Sequence, residues 1–255
     1  MAYLKILDRV EILPTEDAPV ELAITPSPPK VRQVLALLVL RANHVVSAET
    51  IVAELWDDSP PRSALTTVQT YIYHLRKFFD AEQIPGLGPE RLQTRLPGYV
   101  LRCALDQLDA QRFLRLAADA RRLHAAGQYE AAIVAADAAL QLTEGETLAN
   151  VRRGRLLDAH ATHLEEERLS AVEVRIEAAF ALGRHRAHIS ELRALVAMHP
   201  MHEWMHARLI EALIHADRRS DALAAYQHLR RVLDVELGLR PSAATQQLQQ
   251  QALAA

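Results

Sequence analysis

The chain of 255 residues has a single cysteine, Cys103, so it can form neither an internal disulfide nor a zinc site built from several cysteines. No apolar run approaches the roughly 20 residues that a membrane-spanning helix requires. The first residues, MAYLKILDRVEILPTEDAPV, include acids where a secretory signal would have an uninterrupted apolar segment. These absences predict a protein of the reducing cytoplasm with no membrane partner.

Glycine is also scarce, at 8 residues, and the glycines nowhere form the loop that cradles the phosphates of a nucleotide. We therefore expect no nucleotide, and no other residue pattern indicates a cofactor of another kind. Cys103 lacks a matching pattern of histidine and acid, which favours a small buried hydrophobic residue over a nucleophile. At this length, and with 50% hydrophobic residues, the chain has enough material for one large or two ordinary globular domains.

An excess of positive charge is missing too, since the formal net charge is −3. The distribution is more informative, because residues 1–60 carry five basic and nine acidic side chains, a balance of −4. Residues 61–102 carry six basic and three acidic ones, a balance of +3. The six are Arg62, Arg76, Lys77, Arg91, Arg95 and Arg102. A locally basic segment on an acidic background is typical of a phosphate-binding surface.

The first part of the chain mixes short strands and helices, and we predict one domain over residues 1–104. YLKILDRVEI and VELAI alternate apolar and polar residues, which indicates a small antiparallel sheet. Three amphipathic helices follow, and Ser47 is the expected N-cap of the second. RLQTRLPGYVLRC then predicts a hairpin around the Pro97-Gly98 turn.

The rest, residues 105–255, is almost purely helical, and small residues with occasional aromatics resemble tetratricopeptide helix pairs. Breaks between helices are expected at Gly127, Gly145, Gly183, Pro200 and Gly238. Stacked helix pairs are usually interaction surfaces rather than catalytic domains. The predicted fold class is therefore mainly α with a small β component.

The third helix, RSALTTVQTYIYHLRKFF, has one apolar stripe that should face the core: Leu65, Val68, Ile72, Leu75 and Phe79. The rest of its surface carries hydroxyls, an amide, rings and cations: Thr66, Thr67, Gln69, Thr70, Tyr73, His74, Arg76 and Lys77. A carboxylate would repel phosphates, and none is present in this stretch. Such a face suits the major groove of DNA, although an ordinary solvated face explains it equally well. The following hairpin, with Arg91, Arg95 and Arg102, favours the hypothesis that the helix binds DNA, because three helices followed by a basic hairpin are the arrangement of a winged helix.

Three segments, PPKVRQVLALLVLRANHVVSAETIVAELW, PPRSALTTVQTYIYHLRKFF and RLPGYVLR, resemble the OmpR-type winged helix of the Streptomyces antibiotic regulatory proteins, the SARP family. The stretch from LDAQRFLRLAADARRLHAAGQYEAAIVAADAALQL to the carboxy terminus is similar to the bacterial transcriptional activation domain of that family. The resemblance implies a non-enzymatic activator of clustered antibiotic-biosynthesis genes. It would bind direct repeats in double-stranded DNA as a homodimer at the nucleoid, and recruit RNA polymerase holoenzyme with its sigma factor.

By this resemblance Gln69, Thr70, Tyr73 and His74 would approach bases, while Arg76, Lys77, Arg95 and Tyr99 would lie against the backbone or in a groove. His74 stands where the family usually has arginine. The predicted DNA-contacting set is completed by Arg62, Thr66, Thr67 and Arg91.

Two other readings compete. HEWMH, residues 202–206, matches the H-E-x-x-H zinc signature, but the third histidine of the extended pattern is replaced by Ala212, so we expect no catalytic zinc. The stronger rival is a helical scaffold whose winged helix binds protein, which the acidic first 60 residues would suit. Steeply salt-dependent binding to duplex DNA separates this rival from a DNA-binding activator.

Overall fold

The computed structural model describes residues 2–84, 86–143 and 145–254. The chain forms two compact units, of which the first ends at Arg175 and the second begins at Ile176. Helices dominate both units and the few strands lie in the first, which confirms the predicted fold class. Over the described residues, no helix combines the length and the apolar character that crossing a bilayer demands.

The amino-terminal part of the first unit contains a hairpin, three helices and a second small sheet. Its elements are β1 (Tyr3–Lys5), β2 (Glu11–Leu13), α1 (Pro29–Leu40), β3 (Val46–Ser47), α2 (Ala48–Trp56), α3 (Ala64–Ala81), β4 (Leu92–Arg95) and β5 (Gly98–Leu101). Helix α2 begins where predicted, because Ser47 Oγ accepts the backbone N–H of Thr50 at 3.0 Å.

The strand predicted at VELAI is wrong. Val20–Leu22 forms a 3-10 turn instead, with Val20 and Leu22 exposed. Only Ile24 reaches the hairpin, where it exchanges two backbone hydrogen bonds with Ile12 at 2.9 and 3.0 Å. A strand needs a neighbouring edge along its length, and here β2 offers a partner to one residue alone.

The second sheet has the order β3-β5-β4, and all of its neighbours are antiparallel. Strands β4 and β5 form the predicted hairpin, with Leu92 opposite Leu101 and Arg95 opposite Gly98. A Cβ atom on Gly98 would lie 1.9 Å from the carbonyl oxygen of Val46, so only glycine fits beside β3. This close approach fixes the turn end of the hairpin against the start of α2.

The core face of α3 follows the predicted stripe over most of its length. Val68, Ile72, Leu75 and Phe79 are buried, but Leu65 is 53% exposed. Its burial was wrongly expected because the first turn of α3 extends beyond the three-helix core. The smaller Ala64 is the buried residue of that turn.

The helical half consists of α4 (Asp109–Ala125), α5 (Tyr129–Leu140), α6 (Arg155–Ala181), α7 (Ile189–Met198), α8 (Glu203–His215), α9 (Arg219–Leu237) and α10 (Ala243–Ala254). Helices α4 and α5 pack as one pair, and α8 and α9 as another. Gly127, Gly183 and Gly238 follow helix ends with φ of 72°, 74° and 65°, which confirms three predicted breaks.

Two buried carboxylates tie the amino-terminal part of the chain to the starts of α4 and α6. Asp109, in the first turn of α4, accepts the backbone N–H groups of Ile6 at 2.8 Å and Leu7 at 3.0 Å. Glu54 of α2 accepts the N–H groups of Gly154 at 2.7 Å and Leu156 at 2.8 Å, and so caps the start of α6. The domain boundary predicted between residues 104 and 105 thus lies inside the first compact unit.

Candidate nucleic-acid interface

Helix α3 presents a polar surface on the side away from its buried stripe. Thr66, Gln69, Thr70, Tyr73, His74 and Lys77 are exposed, and Thr67 is half-buried. No carboxylate occurs between Ala64 and Phe79, so nothing in this stretch of α3 opposes a phosphate. The fold brings the predicted base-contacting residues together on one helix.

Two threonines on this face have their hydroxyl hydrogens engaged within the helix. Thr67 Oγ1 donates to the carbonyl of Ser63 at 2.9 Å, and Thr70 Oγ1 donates to the carbonyl of Thr66 at 3.1 Å. Each oxygen keeps its lone pairs, so it can act as an acceptor toward a ligand. A methyl group beside each oxygen adds an apolar contact.

Arg76 connects α3 to the hairpin. Its Nε and Nη2 atoms donate to the carbonyl of Leu92 at 2.9 and 2.8 Å, and Nη2 also donates to Thr94 Oγ1 at 2.9 Å. A half-buried guanidinium with these bonds holds β4 at a fixed place beside the helix. The sequence did not predict this positioning role, because the contact joins residues 16 to 18 positions apart.

Other predicted cations are free for a ligand. Arg62 precedes α3, Lys77 lies on it, Arg95 ends β4, and all three are exposed. Within residues 2–84, 86–143 and 145–254 none of them forms an ion pair. Arg91 is exposed too, but its Nε lies 3.7 Å from Glu90 Oε1.

The hairpin turn and the strand that follows it differ in exposure. Leu96, at the turn, is 94% exposed, which no spacing in the sequence predicts. Tyr99, which was predicted to meet DNA, is only 9% exposed and packs in the core opposite Val46. Its side chain packs into the core and thereby supports the hairpin from the buried side.

His74 stands at the edge of the polar face. Together with Phe78 it lines a groove of about 530 Å³ whose other side is the segment preceding α1, Ala23 to Pro28. Tyr73 lies next to it, with 5.9 Å between the ring centroids.

The HEWMH motif spans the start of α8. His206 is fully buried, with Nε2 3.0 Å from the carbonyl oxygen of Pro200, and Glu203 Oε1 accepts the N–H of Ser242 at 2.7 Å. Burial lowers the pKa of His206, which favours the neutral ring. Cys103 is buried as interpreted, and burial raises its pKa to about 11, so the thiol stays protonated.

Two protein families match the sequence. The family described as "Transcriptional regulatory protein, C terminal" matches residues 24–101, and "Bacterial transcriptional activator domain" matches residues 108–253. The first match includes the three helices and the hairpin, and the second includes α4 to α9 and most of α10.

Relatives resemble the chain over most of its length. It is 40% identical over 230 residues to the regulatory protein DnrI of Streptomyces peucetius, and the alignment covers 89% of this chain and 85% of DnrI. It is 36% identical to the regulatory protein AfsR of Streptomyces griseus, over 89% of this chain and 22% of AfsR. The solved structure of Mycobacterium tuberculosis EmbR in complex with low affinity phosphopeptide superposes with a TM-score of 0.88 and 30% identity, covering 99% of this chain and 65% of that chain. The chain belongs to the SARP family of transcriptional regulators, which join an OmpR-type winged helix to a bacterial transcriptional activation domain.

Proposed function

We propose that the protein is a sequence-specific, non-enzymatic transcriptional activator of a secondary-metabolite gene cluster. The observation that carries the proposal is the polar face of α3, which is free of carboxylates from Ala64 to Phe79 and lies beside a basic hairpin. In a winged helix such a face enters the major groove, and the hairpin reaches the neighbouring backbone or minor groove. Family membership supports this use of the fold.

Base reading falls to Gln69, Thr70, Tyr73 and His74, with Thr66 and Thr67 beside them. Gln69 can bind adenine through two hydrogen bonds. Because Thr70 donates its hydroxyl hydrogen to Thr66, it would accept a hydrogen bond from an adenine or cytosine amino group or contact a thymine methyl.

Phosphate binding falls to the exposed cations on both sides of this face. Arg62 and Lys77 would meet one strand, while Arg91 and Arg95 on the hairpin would meet the backbone beside the next groove. Arg76 contributes mainly by holding the hairpin, and Tyr99 by supporting it from the core.

The helical half is proposed to bind protein. Its net charge of −2, obtained by subtracting −4 and +3 from the total of −3, does not favour DNA. Helix pairs present long surfaces suited to partners, here RNA polymerase holoenzyme with its sigma factor. Two protomers would lie head-to-tail on direct repeats, meeting one face of the duplex when the repeats are spaced near a helical turn.

Footprinting on the promoters that flank the gene tests the proposal directly. Protection of direct repeats is expected, with a linear dependence of log affinity on log salt concentration. Thr70→Val, which keeps the shape and removes the acceptor, should relax preference at one base pair by about 1–3 kcal/mol. Arg231→Ala removes an exposed cation on α9 and serves as the control that keeps affinity and preference.

Spacing between the repeats supplies a second measurement. Inserting half a turn, about 5 base pairs, should abolish cooperative binding, and a full turn should partly restore it. Duplex binding without salt dependence, or preference unchanged in both Thr70→Val and Gln69→Ala, would instead favour the scaffold whose winged helix binds protein.

A further inference from the structure

Two histidines and a glutamate meet in the second compact unit, away from the HEWMH motif. They are His185, Glu211 and His215, and a nitrogen or oxygen atom of each lies within 4.8 Å of the corresponding atoms of the other two. His185 and Glu211 are half-buried, and His215 is exposed. The DNA-binding proposal uses none of these residues.

Local structure explains why the three side chains converge. Glu211 and His215 are four residues apart on α8, so they project from the same face of the helix. His185 begins a 3-10 turn, His185–His188, that follows the break at Gly183 and packs against α8. One ligand atom therefore comes from the turn and two come from adjacent turns of the helix.

The donor set is two imidazoles and one carboxylate, which leaves room for a fourth ligand such as water. Zinc binds this combination of nitrogen and oxygen donors, whereas calcium and magnesium prefer sites made of oxygen alone. We propose that His185, Glu211 and His215 form a binding site for a divalent transition metal, with Zn²⁺ the favoured ion. The inference does not depend on how the winged helix binds DNA.

The surroundings are compatible with a metal but require a small adjustment. The rings of His185 and His215 stack, with centroids 3.9 Å apart and planes 21° apart. An imidazole binds zinc through a nitrogen lone pair in the plane of its ring, so the two stacked rings must tilt out of parallel for both lone pairs to meet one ion. His215 can turn because it is exposed, whereas the Phe180 ring restrains His185, its centroid 4.4 Å from that of His185.

Arg208 orients the carboxylate. Its Nη1 atom lies 2.9 Å from Glu211 Oε2, so the two side chains form an ion pair. Hydrogen-bonded or charged neighbours of this kind commonly fix ligating carboxylates. Arg186 and Asp217, which lie next to His185 and two residues after His215 in the sequence, form an ion pair with each other at 3.0 Å.

Titration of the metal-free full-length protein with Zn²⁺, in competition with a chromophoric chelator, tests the site. One equivalent of zinc should bind, and Co²⁺ should give the visible absorption bands of a four-coordinate site. Zn²⁺ should also raise the melting temperature. His215→Ala, His185→Ala and Glu211→Gln should each weaken zinc binding by at least about tenfold.

His202→Ala in the HEWMH motif is the matched control and should bind zinc as the wild type does. Melting curves in chelator establish that each variant folds, and exposed His215 provides the variant with the least effect on packing. Absence of saturable binding at micromolar zinc overturns the proposal, as does binding that survives His215→Ala but is lost in His202→Ala. DNA binding measured in parallel separates this outcome from any failure of the activator proposal.

Discussion

Arginines in the helical half and cations around α3 differ in what they contact. In the helical half many of them pair with acids, as Arg175 does with Asp137 at 3.1 Å and Arg193 with Asp221 at 3.4 Å. Around α3, Lys77 and Arg95 have no acidic partner among the residues that the structure describes. Residues of one chemical class therefore divide into those that hold the fold and those left available to an anion.

This comparison predicts that substitutions of the two groups of cations affect different properties, stability in one case and DNA binding in the other. Replacing a paired charge should alter stability and leave DNA binding intact, whereas replacing a free charge should do the reverse. Arg76 falls between the two classes, because it is a cation whose partners are the carbonyl of Leu92 and the hydroxyl of Thr94. Its removal should be read out mainly in DNA binding, through the position of the hairpin.

The largest effect is expected from truncation. A fragment of residues 1–106 lacks Asp109, which binds the N–H groups of Ile6 and Leu7, and also lacks Phe113, which is fully buried in the shared core. Losing one such aromatic side chain alone costs about 3–5 kcal/mol, comparable with the whole stability of a domain. We expect this fragment to lack a cooperative thermal transition.

A fragment of residues 1–181, which keeps α4 to α6 whole, is the control. It should melt cooperatively and bind a single repeat with full sequence preference. Cooperative unfolding of the 1–106 fragment at the temperature of the longer one would show that the reading domain is independent of α4.

The next effect concerns Asp109 and pH. Burial raises its pKa to about 6 from an ordinary 3.8, although hydrogen bonds from Leu7 and Ile6 act in the opposite direction. The folded chain then binds the proton more tightly than the unfolded one. This contribution to stability is complete below about pH 4 and disappears as the pH rises through about 6.

Asp109→Asn should remove this dependence. Its free energy of unfolding relative to wild type should change by up to about 3 kcal/mol between pH 4 and pH 7, measured by urea denaturation. Asp106→Asn, at an exposed position three residues earlier, should leave the pH dependence as it is. Parallel pH profiles for wild type and Asp109→Asn would contradict the assignment.

Arg76→Ala should weaken specific binding by about 2 kcal/mol, or about 30-fold, because charge-assisted bonds to the hairpin are lost. Arg76→Lys keeps the charge but not the forked geometry, so it should recover only a part. Competition binding to one duplex measures both. Full recovery by lysine would mean that the charge itself, rather than the link to β4, carries the effect.

The smallest effect distinguishes free from paired cations. Lys77→Ala should flatten the slope of log affinity against log salt by about one unit and change stability by less than about 0.5 kcal/mol. Arg193→Ala, paired with Asp221, should leave the slope unchanged. Equal salt slopes for Lys77→Ala and Arg193→Ala would contradict the division into free and paired cations.

The spacing of residues along the sequence predicted those features of the fold that depend on residues close in sequence. The stripe of Val68, Ile72, Leu75 and Phe79 and the cap at Ser47 follow from helical spacing and a hydroxyl at a helix start. Leu65 and VELAI were mispredicted, since spacing does not reveal where a core ends or whether a strand has a neighbour.

Contacts between distant residues were out of reach. Glu54 meets Gly154 100 positions later, Arg76 meets Leu92 across a turn, and His185 stacks on His215 from another helix. No local pattern encodes these pairs, because the same residue types in other folds face solvent. The HEWMH motif shows the opposite case. Its spacing matches a zinc site, but His206 contacts the carbonyl of Pro200 and Glu203 accepts the N–H of Ser242.

The cap that Glu54 places on α6 has a consequence for promoter geometry. It ties the start of α6 to α2, and α2 packs against α3, the helix proposed to enter the major groove. In the proposed mode of DNA binding, the start of α6 would therefore move around the duplex axis together with the operator. Each base pair added between operator and promoter would turn it by about 34–36°, so activation should depend on helical phase as well as on distance.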